Sequence, residues 1–331
     1  MSQLELLLGA LGRFHTLRAG VIGDLMVDRF IYGSATRLSP EAPVPVVHIR
    51  ERATQPGGAA NVGHNILSLG AQLSLFGVLG DDEAGREVRA ILEQRRADLR
   101  GMILLPDRAS TIKTRVVAQA QQLVRFDEEE TAAIDESIAS ELFHLAGAQI
   151  NTLSVMVFSD YDKGVFSASL VQRLLALCKR AGVLSLADPK PANIASFAGV
   201  DVIKPNLGEA LRLAGMEREP DAVGMQHVCR AVRERAQAGD VIITAGGRGM
   251  FVLAGEKFAH LPGHQREVYD VAGAGDTALA TVALGLAAGL PLADAAQLGN
   301  LAGSIAVGKL GVAAVTSAEL RTELEEFYGH A

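Results

Sequence analysis

The sequence predicts an α/β fold in which a mostly parallel central sheet is covered by helices on both faces. Apolar residues make up 49% of the 331 residues, yet the chain has no tryptophan and few other aromatic residues. A core of this composition must consist mainly of aliphatic side chains, as in parallel sheets covered by helices. Short apolar runs also alternate with helical patterns along the chain, which is typical of β-α units.

The apolar runs mark the strands of the predicted sheet. They cover residues 20–27, 73–79, 154–159, 184–188, 200–204 and 240–245. Between them, residues 82–96 put Ala84 and Val88 on one face of a helix, and Ser167 is the expected N-cap of another. No repeat or flexible linker divides the chain, so we expect residues 1–331 to form one domain.

Two stretches break the alternation of strands and helices. Residues 31–50, which contain three prolines, and residues 111–127 both have the pattern of extended strands without intervening helices. We expect both to form a small separate β-sheet that acts as a lid, because an active site gains from excluding water. The alternative is an edge hairpin of the main sheet. Exposed edges on lid strands also invite pairing between subunits, so we expect a homodimer.

Charge and composition exclude some classes of partner. The formal net charge of −7 argues against a nucleic-acid partner, which normally requires a basic stripe. The apolar run at residues 1–14 is too short to span a bilayer and lacks a basic leader, so we expect an amphipathic helix of a cytoplasmic protein with no membrane partner. Cys178 and Cys229 belong to no C-x-x-C pair and are expected to be small buried residues.

The stretch with the clearest chemistry is residues 270–277, which read DVAGAGDT. Its small residues Gly273, Ala274 and Gly275 open a helix, where unpaired main-chain N–H groups favour an anion such as a phosphate. Asp276 follows in the first turn and could accept a hydroxyl proton during phosphoryl transfer. The alternative is that Asp276 only caps the helix and that the glycines only permit close packing.

The first apolar run leads into two acidic residues. If one strand runs through this segment, its two-residue period sends Asp24 and Asp28 to the same face at the carboxyl end of the strand. Carboxylates at this position could accept hydrogen bonds from the hydroxyl groups of a ligand. The alternative is a solvated strand end.

Two motifs resemble those of a known family. The segment DVAGAGD resembles the signature D-T-x-G-A-G-D of the PfkB carbohydrate kinases, whose last Asp, here Asp276, is the catalytic base; Val271 replaces the usual Thr. The segment GGAAN, which contains Gly57, Gly58 and Asn61, resembles the upstream signature that approaches the sugar. Two motifs in the expected order are more specific than either alone. The resemblance implies a ribokinase-like fold and an ATP-dependent sugar kinase.

The resemblance extends to the residues that would bind ATP and Mg²⁺. It implies that Asn206 and Glu209, in an N-x-x-E element, organise Mg²⁺, with Glu209 acting through water. The same two residues also fit a helix N-cap followed by a first-turn Glu. The implied nucleotide-binding residues are Asn206, Glu209, Thr244, Gly246, Gly249 and Asn300. Some kinases of this fold also bind a monovalent cation near the anion site.

Finer matches resemble one branch of this family, the D-glycero-β-D-manno-heptose 7-phosphate kinases. They lie at residues 37–46, 111–115, 121–127 and 159–164. The resemblance implies phosphorylation at the anomeric O1 to give the 1,7-bisphosphate, on the way to ADP-heptose and the lipopolysaccharide core. The chain has no H-x-G-H element, so we expect a monofunctional kinase without the adenylyltransferase domain that is fused to many relatives.

A sugar phosphate requires local positive charge on an acidic protein. Lys113 and Arg115 would project to one face of a strand, and other basic residues lie near the implied site. The candidates for the sugar phosphate are Lys113, Arg115, Arg125, Lys163 and Lys190, and those for the sugar are Asp24, Asp28, Gly57, Gly58 and Asn61. Each basic residue could instead form a surface ion pair. A PfkB kinase of another sugar or sugar phosphate, and a non-catalytic sugar-phosphate sensor, remain alternatives.

Overall fold

The computed structural model describes residues 2–119, 121–264, 266–309, 311 and 313–329. The strands are β1 (Arg18–Gly23), β2 (Leu25–Leu38), β3 (Pro45–Gly58), β4 (Gln72–Gly80), β5 (Asp98–Leu105), β6 (Thr111–Ala118), β7 (Gln121–Glu128), β8 (Val155–Ser159), β9 (Leu184–Asp188), β10 (Val202–Ile203), β11 (Asp240–Thr244), β12 (Met250–Ala254) and β13 (Lys257–Leu261). The helices are α1 (Gln3–Arg13), α2 (Ala59–Ser68), α3 (Glu83–Gln94), α4 (Glu136–Gln149), α5 (Ala168–Ala181), α6 (Leu207–Ala214), α7 (Ala222–Ala236), α8 (Ala274–Ala287), α9 (Leu292–Val307) and α10 (Ser317–Gly329).

The main sheet has the strand order β13-β12-β11-β10-β9-β8-β1-β4-β5 within the described residues. The pairs from β11 to β5 are parallel, and β12 and β13 add an antiparallel edge. Strand β8, the sequence VMVFS, is buried along its whole length, as expected for a strand covered on both faces. The predicted mostly parallel sheet is therefore confirmed.

Helices cover both faces of this sheet, as predicted. Helices α1, α2, α3, α8, α9 and α10 contribute to the core on one face, and α4 to α7 contribute to the core on the other. Cys178 and Cys229 lie buried in the second core, as expected, and Ser167 caps α5 by accepting a hydrogen bond from the N–H of Leu170. Within the described residues, no helix combines the length and the apolar character needed to cross a bilayer.

Strands β2, β3, β6 and β7 form a separate sheet in the order β3-β2-β6-β7, here called the lid sheet. Its hairpins β2-β3 and β6-β7 are antiparallel, while β2 and β6 pair in parallel. The predicted separate sheet is therefore confirmed, and the edge hairpin of the main sheet is excluded. The first hairpin is longer than the predicted segment 31–50, because β2 starts at Leu25 and β3 continues to Gly58.

The prediction of one strand through residues 20–27 is wrong. Strand β1 ends at Gly23 in the main sheet, and β2 starts at Leu25 in the lid sheet, so Asp24 lies between two strands. Both strands are buried at this point. The apolar run therefore continues through the change of sheet, and hydropathy alone does not mark it. This connection joins the carboxyl edge of the main sheet directly to the lid sheet.

Candidate active site

Helix α8 begins with the glycine-rich stretch. Gly273 is its N-cap at a φ of 78°, a left-handed conformation that glycine adopts without strain. A Cβ atom added at Gly275 would meet nothing within 4 Å, so this residue faces open space. The N–H of Ala272 donates to the Asp270 carboxylate over 2.9 Å. The N–H of Ala274 makes a long hydrogen bond of 3.4 Å to the Val271 carbonyl oxygen, so the N–H groups best placed for an anion are those of Gly273 and Gly275, with that of Ala274 next.

Asp276 lies in the first turn of α8 and is only 7% exposed. The Tyr161 hydroxyl donates to its Oδ1 over 2.6 Å, and the Asn61 Nδ2 donates to its Oδ2 over 2.7 Å. Burial raises the pKa of Asp276 to about 6, although both hydrogen bonds favour the charged form. A carboxylate with a pKa near neutrality is well suited to accept a proton from a substrate.

A chain of hydrogen bonds between α2 and α8 orients Asn61. Thr277 Oγ1 donates to Asn65 Oδ1 over 2.8 Å, and Asn65 Nδ2 donates to Asn61 Oδ1 over 3.3 Å. Because the Asn61 oxygen is an acceptor here, its NH₂ group must face Asp276. The two predicted signatures, with Asn61 and Asp276 separated by 215 positions, are therefore in direct contact.

The glycines at the end of β3, just before α2, allow this strand to lie close to Asp28 of the neighbouring strand β2. Gly58 has a φ of 56°, and a Cβ atom added at Gly57 would lie 2.5 Å from Asp28 Oδ2. A larger residue at either position would displace the backbone or the carboxylate. The end of β3 therefore packs its main chain directly against Asp28.

Ionisable residues meet at the carboxyl edge of the main sheet. Lys204, after β10, is 2% exposed, and its Nζ lies 2.8 Å from the carboxylate of Asp188 at the end of β9. Lys190 Nζ lies 2.8 Å from Glu209 Oε1 and 5.3 Å from the centroid of the Tyr161 ring. Ligands of parallel α/β sheets bind at this edge.

Glu209 and Asn206 cap α6 reciprocally. Glu209 Oε2 accepts the Asn206 N–H over 3.0 Å, and Asn206 Oδ1 accepts the Glu209 N–H over 2.9 Å. The capping interpretation of these residues is therefore confirmed. Both Glu209 oxygens already have protein partners, since Lys190 holds the other one. The oxygen donors fit Mg²⁺, and these contacts favour an ion held through water.

A groove of about 1010 Å³ runs past the N-terminus of α8. Thr244, Gly246, Gly249 and Asn300 are among its lining residues. Gly249 has a φ of 87°, and a Cβ atom there would lie 2.0 Å from the Leu261 carbonyl oxygen, so the turn requires glycine. The volume suits a ligand of nucleotide size.

A smaller pocket of about 150 Å³ continues this groove toward the base. Asp276, Lys190 and Lys204 contribute to its lining. Asn206, Thr244 and Gly275 line both pockets. The described residues therefore form a continuous path from the groove to the Asp276 carboxylate.

One face of the lid sheet carries Asp28 and Arg115. Their side chains form an ion pair, and the Arg115 guanidinium lies 5.4 Å from the centroid of the Phe30 ring. Burial raises the pKa of Asp28, although Arg115 opposes this shift. Asp28 also raises the pKa of the Tyr161 hydroxyl, after larger effects of burial and of Asp276. Asp28 is therefore electrostatically coupled to the residues around the base.

Two lysines converge on one carboxylate beside the lid sheet. Lys113 Nζ lies 2.7 Å from Glu129 Oε1, and Lys163 Nζ lies 2.9 Å from Glu129 Oε2. These hydrogen bonds, that of Lys113 first, lower the pKa of Glu129 to about 2. Asp127 binds Lys113 and also pairs with Arg125, whose side chain is 49% exposed. The two lysines could bind an anionic ligand in place of Glu129.

The carboxylate of Asp24 holds a loop of the main sheet. Its oxygens accept the main-chain N–H groups of Tyr161, Lys163 and Val165 over 2.7 to 3.2 Å. Burial raises the pKa of Asp24 to about 6 in spite of these bonds. Asp24 therefore orders the segment that carries Tyr161 and Lys163.

Most of the predicted residues gather along this path. Asn61 contacts Asp276, and Asn206 and Glu209 line the pocket that contains Asp276. Gly57 packs against Asp28. Arg125 lies at the exposed end of the group. The sequence did not predict the roles of Tyr161, Lys204, Glu129, Asn65 and Thr277. Lys204 ends the apolar run at residues 200–204, and its place at the end of a strand was a usable signal, since strand ends of this sheet form the site.

Sequence comparison finds relatives over most of the chain. A family model described as pfkB family carbohydrate kinase matches residues 18–319. The bifunctional protein HldE of Azorhizobium caulinodans is 42% identical over 308 residues, which cover 92% of this chain and 64% of that protein. The HldE protein of Rhodospirillum rubrum is 37% identical over 311 residues, which cover 94% of this chain and 62% of that protein. The chain thus spans less than two thirds of these relatives.

Solved structures share the fold at low sequence identity. Phosphofructokinase-2 from Escherichia coli, in complex with potassium, matches with a TM-score of 0.75 at 19% identity, over 94% of this chain and 99% of that one. Ribokinase from Arabidopsis thaliana, in complex with ribose and ATP, matches with a TM-score of 0.70 at 17% identity, over 93% and 99%. These matches confirm the ribokinase-like fold.

Proposed function

The chain belongs to the pfkB family of carbohydrate kinases, and from this premise we propose that it transfers the γ-phosphate of ATP to O1 of D-glycero-β-D-manno-heptose 7-phosphate. The observation that carries the proposal is the buried Asp276 carboxylate at the inner end of a groove of nucleotide size. The product would be the 1,7-bisphosphate, a precursor of ADP-heptose and the lipopolysaccharide core. The motif matches in the lid sheet and after β8 support this choice of sugar.

In the proposed reaction, Asp276 accepts the proton of the anomeric hydroxyl group. The sugar oxygen then forms a bond to the γ-phosphorus, and the bond from that phosphorus to the bridging oxygen breaks to release ADP. The N–H groups of Gly273, Ala274 and Gly275, at the positive end of α8, would stabilise the charge of the transferred group. Lys190 and Lys204 line the same pocket, each paired with a carboxylate, Glu209 and Asp188 respectively.

We assign the groove to ATP. Asn300 would face the adenine, and Thr244, Gly246 and Gly249 would contact the nucleotide from the turn after β11. Asn206 and Glu209 would hold Mg²⁺ through water, and the bound ion would offset negative charge on the phosphate oxygens. A monovalent cation near the anion site remains a prediction from the resemblance.

The sugar would bind between the lid sheet and the start of α2. Asp28 would accept its hydroxyl hydrogens, and the main chain at Gly57 and Gly58, together with Asn61, would contact its ring. This assignment differs from the expectation for Asp24, because the Asp24 oxygens already hold the loop after β8. We therefore assign Asp24 a positioning role.

For the 7-phosphate, we favour Lys113 and Lys163 among the five basic candidates. Their ammonium groups already share one carboxylate, Glu129, so they are spaced to share a phosphate. Arg115 would orient Asp28 through their ion pair. The remaining two candidates fit other roles, since Lys190 lies beside Glu209 in the phosphate pocket and the exposed Arg125 belongs to the rim.

A substrate panel tests this proposal. ADP release would be measured with ATP, Mg²⁺ and, separately, heptose 7-phosphate, fructose 6-phosphate, ribose and a nucleoside. We expect the highest kcat/KM with heptose 7-phosphate. A preference for an unphosphorylated sugar would reject the assignment of Lys113 and Lys163 to the sugar phosphate. A preference for another phosphorylated sugar would make this a PfkB kinase of a different substrate. No turnover with any sugar, together with tight sugar-phosphate binding, would favour the non-catalytic sensor.

The proposal includes a cytoplasmic homodimer formed through the lid sheet. The edge strand β7 is exposed along its whole length, with Val124 51% and Phe126 47% exposed. An exposed edge with apolar side chains favours pairing with a second copy. Light scattering should give the mass of a dimer, and Phe126→Glu should give a monomer. A monomeric mass for the unmodified chain at assay concentration would reject the dimer.

A further inference from the structure

The hydroxyl group of Tyr161 lies directly on the candidate base. It donates to Asp276 Oδ1 over 2.6 Å, while Asn61 donates to Oδ2 over 2.7 Å. Tyr161 follows β8, in the loop whose N–H groups are held by the Asp24 carboxylate. Its ring also faces the ammonium group of Lys190, at 5.3 Å from the centroid. The position of the phenol is therefore fixed from two sides.

The charged surroundings make Tyr161 a permanent donor. Burial raises its pKa well above the ordinary value of 10, and the negative charge of Asp276 acts in the same direction. The phenol thus stays protonated over the pH range in which Asp276 titrates. Because an ionised carboxylate has no hydrogen to donate, the shared hydrogen must come from the Tyr161 hydroxyl group.

The bond constrains the carboxylate without blocking it. An ionised carboxylate offers about four lone-pair positions, and Tyr161 and Asn61 use two of them on different oxygens. A sugar hydroxyl can therefore donate to a remaining position. The two fixed donors also prevent rotation of the Asp276 side chain, which faces the pocket that leads to the nucleotide groove.

We propose that Tyr161 is a positioning residue that holds the Asp276 carboxylate, through its phenolic hydrogen bond, in the ionised and correctly oriented form that accepts the sugar proton. This inference rests on the proposed role of Asp276 as the base. It assigns to Tyr161 a role in the reaction that no motif in the sequence predicted. The phenol acts through Asp276 and needs no contact with the transferred phosphate.

Other groups near Asp276 define the background for a test. Asn61 and Lys204 favour the charged form of the Asp276 carboxyl group, and Asp188 opposes it. These three residues lie on α2 and at the ends of the strands β10 and β9. A change at position 161 leaves all of them in place. The effect of the phenol can therefore be separated from theirs.

The test uses Tyr161→Phe, which removes only the hydroxyl group and keeps the ring beside Lys190. The Asp276 carboxyl signal would be followed by ¹³C NMR in the whole chain labelled at aspartate, and assigned by its loss in Asp276→Asn. A hydrogen bond to a charged group is strong enough to shift such a midpoint by about one pH unit. We expect an upward shift of this size, and an equal shift in the acid limb of the kcat/KM profile. Tyr328→Phe, on α10, should shift neither.

The outcomes separate this inference from the proposed function. The NMR titration requires no turnover, so it tests Tyr161 even if no sugar is phosphorylated. If the kinase is active but Tyr161→Phe leaves both the carboxyl midpoint and the acid limb unchanged, the role of Tyr161 is rejected and the kinase assignment stands. If the Phe variant does not fold, 3-fluorotyrosine at position 161, a stronger donor, should shift the midpoint downward. An unchanged midpoint there would also reject the inference.

Discussion

Replacing Asp276 by Asn should stabilise the folded chain at neutral pH, although it removes the proposed base. Burial raises the pKa of this carboxyl from an ordinary value of 3.8 to about 6. An acid with a raised pKa in the folded state binds its proton more tightly there than in the unfolded chain. Its contribution to stability is therefore greatest below about pH 4, and it is lost as the pH rises to about 6.

The size of the effect follows from the same shift. One pH unit corresponds to about 1.4 kcal/mol, so a shift of about two units gives at most about 3 kcal/mol. Asparagine also changes the hydrogen bonds to Tyr161 and Asn61, which reduces the gain. We therefore expect Asp276→Asn to raise the free energy of unfolding at pH 8 by about 1 to 3 kcal/mol.

Urea unfolding of both proteins at pH 8 and at pH 4.5 measures this difference. The gain of Asp276→Asn should be clear at pH 8 and much smaller at pH 4.5, since the carboxyl is then largely protonated in the folded protein. Asp107→Asn, at an exposed position, is the matched control for the change of a carboxylate to an amide. Equal destabilisation by Asp276→Asn at both pH values would refute the reasoning.

Two further substitutions test the sugar site. Gly57→Ala should lower kcat/KM for the sugar at least tenfold with little change in the KM for ATP, because the added Cβ atom would lie 2.5 Å from Asp28 Oδ2. Its control is Gly12→Ala, where the added Cβ atom meets nothing within 4 Å. Glu129→Gln should lower the KM for a phosphorylated sugar several-fold at low salt, because it removes the negative charge of Glu129, which competes with the sugar phosphate for Lys113 and Lys163. A raised KM would mean that Glu129 only orients these lysines.

Much of the fold could be predicted from hydropathy and turn residues. The run at residues 184–188 coincides with β9, and the break in alternation correctly marked the lid sheet. Strands β12 and β13 were not predicted, because they form an antiparallel hairpin with no helix between them. In β13, buried and exposed residues do not alternate cleanly, so the strand gives little signal in the sequence.

The site was predictable only in part, because its contacts join distant positions. The small residues before Asp276 carry a local signal for a helix that starts at an anion site. Tyr161 contacts Asp276 across 115 positions, and Lys163 contacts Glu129 across 34. Neither pair leaves a periodic pattern in the sequence. A lysine after a strand normally reads as solvated, yet Lys204 is buried beside Asp188 because neighbouring strands end together.

The kinetics of Asp276→Asn with ATP, Mg²⁺ and heptose 7-phosphate test the central claim most directly. General-base assistance typically contributes about 10² to 10⁴ in rate, so kcat should fall by a factor in this range. The dissociation constant for ATP should stay nearly unchanged, because the groove that would bind the nucleotide is intact in the variant. Turnover close to that of the unmodified chain would contradict the account.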